Sequence, residues 1–135
     1  MLVVLLALLP GTLAMTNLWG LGVLWNILWL LAFCLLTEIL SCGRDWHKAR
    51  RQIANLSACV TAALIAICLP PEMPLYVLFT ASVVAVGLAK AAYGGLGRNI
   101  FNPAMVGFAV AFVSFPAAFT SWPLLDGLVA STVDV

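Results

Sequence analysis

Charge is what this sequence has least of. Only 8% of its 135 residues are charged and 64% are hydrophobic, with a mean hydropathy of +1.14. A soluble domain carries about 25% charged residues, so the shortage excludes an ordinary water-soluble fold and makes this a membrane protein. Other signals are missing too. The four cysteines, Cys34, Cys42, Cys59 and Cys68, form no CxxC pair. Metal motifs need close paired spacing, so no metal site is expected. Cys34, Cys59 and Cys68 lie inside apolar runs and read as small buried thiols. The single histidine, His47, stands between Trp46 and Lys48 in a polar stretch and reads as a surface residue. The net charge of +1 carries no information about partners, and no nucleic acid is expected.

What the chain does have is a series of apolar runs. Residues 1–15 are apolar with Pro10-Gly11 two-thirds along, about 15 residues against the roughly 20 that a spanning helix needs. No positive residue precedes the run, as a signal peptide would require. It reads as the end of a spanning helix whose start is missing. Leu18 to Leu40 reads as a full span, with Trp19 at interface depth and Trp25 and Trp29 facing lipid or neighbouring helices. Glu38 lies near its far end. A carboxylate inside a span is a functional candidate by default, but here the reading is that it reaches water or the basic loop that follows. Leu56 to Leu69 is short and stops at Pro70-Pro71, which cannot continue a helix. Leu75 to Ala92 is closed by Lys90 and Tyr93, both expected to snorkel to the interface. Ala104 to Phe119 is short again, with Pro116 near its end.

The few charges order these runs. All six basic residues fall in two windows, Arg44 to Arg51 and Lys90 to Arg98, while Glu72, Asp126 and Asp134 lie elsewhere. The positive-inside rule puts the first window in the cytoplasm. Alternating the runs from there puts both basic windows on one side and those three acids on the other. The expected fold is all-α: a polytopic bundle of about five spanning or partly spanning helices, with the N-terminus inside and the C-terminal tail outside.

One stretch, Gly94 to Gly107, breaks the pattern. Its glycines, two asparagines, proline and Arg98 make a poor helix and a poor strand. Irregular backbone at membrane depth is tolerated only where protein or water satisfies it, so the stretch is either a plain loop or a segment lining a cavity. Asn102-Pro103 reads as a helix start, Asn as cap and Pro at the first helical position. Gly94, Gly95, Gly97, Asn99 and Asn102 are the candidate pathway-lining residues, because glycine lets backbone approach a ligand closely. Close helix packing explains such glycines equally well. Arg98 either holds an anionic group or adds to the inside-positive charge. No catalytic residue is assigned.

The run KAAYGGLGRNIFNPAMVGFAVAFVSFP, Lys90 to Pro116, resembles the signature of the NqrB/RnfD family, in particular the RnfD members found in Rnf electron transport complexes. Further matches are LLALLPGTLA near the start, LLTEIL, SACVTAALIAICLPP from Ser57 to Pro71, and the FTSW that follows SFP. No insertion is needed before Trp122, although the family often carries an acid near the position of Asn55. The resemblance implies a multi-pass subunit of a bacterial cytoplasmic (inner) membrane complex. Its partners are other Rnf-type subunits and the lipid membrane. The complex moves electrons between ferredoxin and NAD and couples this to sodium or proton translocation. The family protein has about twice as many helices in two similar halves, and this sequence is expected to cover the first half, cut at both ends.

The resemblance also implies a cofactor, flavin mononucleotide (FMN) attached through its phosphate to a threonine in a motif like D-G-[IV]-S-x-A-T-P-L; riboflavin is a second flavin it leaves open. Asp126 to Thr132 aligns with that motif and puts Thr132 at the attachment position, but the motif's serine, alanine and proline are not matched. The alternative placement begins the motif at Asp134-Val135, with the threonine beyond the last residue, and fits better. Two other classes stay open: a channel or secondary carrier without redox chemistry, and a structural membrane scaffold.

Overall fold

The computed structural model describes residues 1–42, 55–91, 101–120 and 122. Among these all regular structure is helical. Helix α1 runs Leu2–Trp19, α2 Gly22–Ser41, α3 Ser57–Cys68, α4 Leu75–Ser82, α5 Pro103–Ser114 and the single turn α6 Pro116–Phe119. Helix α4 continues without a break as a π-helix over Val83–Ala91. The chain is thus an all-α membrane helix bundle.

Lengths separate two kinds of helix. With 18 and 20 residues, α1 and α2 are about 27 and 30 Å long at 1.5 Å per residue, enough for a hydrocarbon core of roughly 30 Å. The 12-residue α3 and α5 reach only about 18 Å, so they span in part, as the expected fold allowed.

Two boundaries differ from the sequence reading. Helix α1 passes through Pro10-Gly11 and ends at Trp19, so Leu18 and Trp19 close the first span instead of opening the second. In lipid a helix keeps its backbone bonds internal, and a proline that withholds one N–H does not end it. The break falls at Gly20, whose φ of +75° suits glycine. The last apolar run is also divided. Phe115 leaves helical geometry at φ −133°, because Pro116 disfavours helical backbone in the residue before it.

Burial is arranged for lipid. The core gathers Leu30 and Cys34 of α2, Ala62 and Ile65 of α3, Val77 and Leu78 of α4, and Ala104 and Ala111 of α5, all nearly inaccessible. Helix α1 rests on α2 and α3 and has no buried residue at all. Meanwhile Asn26, Thr37, Glu38, Ser57, Thr61, Ser82 and Lys90 are buried, and Leu13, Leu28, Leu40 and Val113 are 61–78% exposed. Polar groups inward and leucines outward is the arrangement for a chain whose solvent is hydrocarbon.

Small residues allow the closest approaches. The buried stripe of α3 is Ser57, Ala58, Thr61, Ala62, Ile65 and Ala66. A Cβ on Gly107 of α5 would lie 2.6 Å from the Ala81 carbonyl oxygen and 2.8 Å from the Ala85 Cβ, so α5 meets α4 backbone to backbone. That is how helices without a hydrophobic drive between them pack in lipid. The cysteines divide: Cys34 is buried, Cys59 half-buried, and Cys68, the last residue of α3, is exposed instead of buried as its apolar run suggested.

Candidate functional site

The bundle has two polar ends. At one, the turn after α3 crosses the start of α2. Asn26, fully buried, donates from Nδ2 to the Pro70 carbonyl at 2.6 Å and accepts at Oδ1 from the Met73 N–H at 3.0 Å. The Glu72 N–H donates to the Gly22 carbonyl at 3.3 Å, and Glu72 itself holds a left-handed φ of +57°. Gly22 has no room for a side chain: a Cβ there would meet Glu72 Cγ at 2.7 Å and Pro71 Cβ at 2.8 Å. The rings of Trp19 and Trp122 meet edge to face at 5.5 Å.

The other polar feature carries charge inside the bundle. Glu38 and Lys90 are 1% and 5% exposed, and Lys90 Nζ donates to Glu38 Oε1 in an ion pair. This corrects two readings of the sequence. Glu38 does not reach water, and Lys90 does not snorkel; each takes the other as its partner. The physical reason is cost. A charge inside a membrane span is expensive, and pairing with the opposite charge is the usual remedy. Helix α2 brings Glu38 in on the stripe Leu30, Cys34, Thr37, Glu38, and the π-helix brings Lys90 in against it. Gly87 lies beside Thr37, with a Cβ there 3.4 Å from Thr37 Cγ2. Glu38 Oε2 and Ser57 Oγ are buried without a hydrogen-bond partner among the described residues. The site is a neutral pair with acceptor capacity to spare.

The pairing left a trace in the sequence. Alternating the spans from the Arg44–Arg51 loop puts the end of α2 and the end of the fourth run on the same side, and Glu38 and Lys90 are the charges those ends carry. That reasoning supplies a common depth but not facing side chains.

Of the sequence candidates, Asn102 is described. It caps α5, its Oδ1 accepting from the Ala104 N–H at 3.0 Å, with Pro103 at the first helical position. Gly94, Gly95, Gly97, Arg98, Asn99 and Thr132 lie outside the described residues, as do His47 and the Arg44–Arg51 loop. The glycine closing the stretch, Gly107, serves the contact of α5 with α4.

Known proteins place these features in a family. The sequence model of the NQR2, RnfD, RnfE family matches residues 1–133. The D-type subunit of an ion-translocating oxidoreductase complex from Ectopseudomonas mendocina is 42% identical over 130 residues, which are 96% of this chain and 38% of that protein. Its counterpart in Cellvibrio japonicus is 41% identical over 99% of this chain and 39% of its own length. That of Pectobacterium carotovorum is 43% identical over 90% and 35%. The chain therefore spans less than two-fifths of the length of the curated relatives it matches. Glu38 within LLTEIL and Lys90 at the head of the glycine-rich signature both lie inside the matched region. With a family model covering nearly every residue and relatives above 40% identity, this chain belongs to the NQR2, RnfD, RnfE family.

Proposed function

We propose that this chain lies within the first half of a membrane subunit in an ion-translocating electron transport complex of the bacterial inner membrane. The observation that carries the reading is the 42% identity, over 96% of the chain, to a subunit of an ion-translocating oxidoreductase complex. A buried carboxylate–lysine pair within the bundle supports a role beyond scaffolding, since ionisable groups at membrane depth mark functional sites by default. Partners are the other subunits of the complex, and the electron route runs on its ferredoxin and NAD side. The glycine-rich stretch, with Gly94, Gly95, Gly97, Asn99 and Asn102, lines part of the route.

The cofactor belonging to this reading is FMN, bound as a phosphoester of a threonine on the outer side. It supplies exchange of one or two electrons, while the protein supplies position and electrostatics. The chain leaves α6 for its C-terminal tail beside Trp122, which touches Trp19. Tryptophans at this end suit the membrane–water boundary, the depth at which a tail carrying a polar phosphoester belongs. The attachment residue is Thr132 or a threonine beyond Val135, and the second fits the motif better.

Mass spectrometry after co-expression with a flavin transferase tests the reading. An FMN adduct is expected on a chain extended past Val135 and not on the Asp126–Val135 peptide. An adduct on that peptide moves the site to Thr132. A bare extended chain favours a carrier or scaffold without redox chemistry.

A further inference from the structure

The π-helix over Val83–Ala91 is nine residues long, whereas π geometry mostly occurs as single-turn bulges within α-helices. Nothing in its composition asks for it: VVAVGLAKA has no proline, and the α-helical Leu75–Ser82 runs straight into it. A long run of i→i+5 bonds needs an outside reason to persist.

Both ends of the segment are fastened. At the start, Gly107 of α5 presses on the Ala81 carbonyl and on Ala85, fixing the join. At the far end Lys90 is buried against Glu38 of α2. A π turn holds more residues than the 3.6 of an α turn, so over this length Lys90 is rotated by roughly a third of a turn from its place in an α-helix. That rotation carries it away from the face it would otherwise occupy. In the α form, Glu38 would be left as an uncompensated buried charge, which is strongly unfavourable.

We propose that the Glu38–Lys90 pair and the π geometry form one device. The wide turns deliver Lys90 to Glu38, and the pair holds Val83–Ala91 in the π form against relaxation to α. The segment is then an element with two packings, of the kind that couples a local charge event to a rotation of the chain beyond it. Glu38 and Lys90 act in it as positioning residues. The inference rests on the fold and the pair, independently of the flavin and of the electron route.

Disulfide trapping in the full-length protein assembled in its complex tests it, with the native cysteines replaced. In the π form Gly87 faces Thr37, at 3.4 Å from a built Cβ to Thr37 Cγ2. In the α form Val86 comes closest to that direction. The pair T37C/G87C is expected to cross-link readily and T37C/V86C poorly. Adding E38M/K90M, which removes both charges without leaving one unpaired and so keeps the bundle folded, is expected to reverse that preference. The charge exchange E38K/K90E is expected to restore it. If G87C remains the preferred partner of T37C in E38M/K90M, packing alone holds the π form and the proposal is wrong. If Val86 is preferred already in the unaltered background, the segment is α-helical and the proposal fails at its first step.

Discussion

Asn26 is fully buried, yet both ends of its amide are used, one on the Pro70 carbonyl and one on the Met73 N–H. Pro70 and Pro71 stop α3, and the turn that follows buries the Pro70 carbonyl and the Met73 N–H within the protein, where they must find partners. Replacing Asn26 by alanine leaves a buried carbonyl and a buried N–H unmet, which costs about 1–3 kcal/mol for such groups. Reversible unfolding of the full-length protein in mixed detergent is expected to show that loss, and Asn26→Asp is expected to restore only the bond to Met73. Sequence reading assigned no role to Asn26. An asparagine among leucines signals a hydrogen bond, but its partners lie 44 and 47 residues away.

Among the helices, contact is made where side chains are smallest. Helix α5 seats Gly107 on the α4 backbone, and α3 offers its alanines and small polar residues to α2. Gly107→Ala forces a Cβ to within 2.6 Å of a carbonyl oxygen, a clash with backbone that cannot rotate away; overpacking of this kind costs about 1–3 kcal/mol. Gly11→Ala in α1 meets nothing within 4 Å and is expected to leave stability unchanged or slightly higher, since alanine is the better helix former. Measured side by side in the same unfolding assay, equal losses at the two positions would refute the packing account. The cap at Asn102 and Pro103 was legible from two adjacent residues because capping is local. The π-helix was not, because no property of VVAVGLAKA distinguishes i→i+5 from i→i+4 bonding.

For the molecule as a whole, the spans and their alternation followed from hydropathy and the placement of six basic residues. The structure agrees about which segments share an end: Gly22 with Pro71–Glu72, Trp19 with Trp122, and Glu38 with Lys90. Which end faces the cytoplasm follows from the positive-inside rule alone. Single cysteines placed in the Arg44–Arg51 loop and at Glu72, in a chain otherwise free of cysteine, test it. An impermeant maleimide applied to intact spheroplasts is expected to label the second and spare the first, and the reverse pattern would invert the topology.

By itself the sequence determined that the chain is a membrane bundle, roughly where its apolar runs lie though not where the helices break, which ends share a side, and to which family it belongs. All of these depend on composition, periodic charge placement or contiguous motifs, which are properties of the linear chain. Only the tertiary structure decided that Glu38 and Lys90 are partners and not solvated ends, that Asn26 holds the Pro70–Met73 turn, and that Gly107 is a packing glycine. Those are contacts between residues distant in sequence. Each is set by how far a helix has rotated when it meets its neighbour, and a hydropathy pattern does not record that angle.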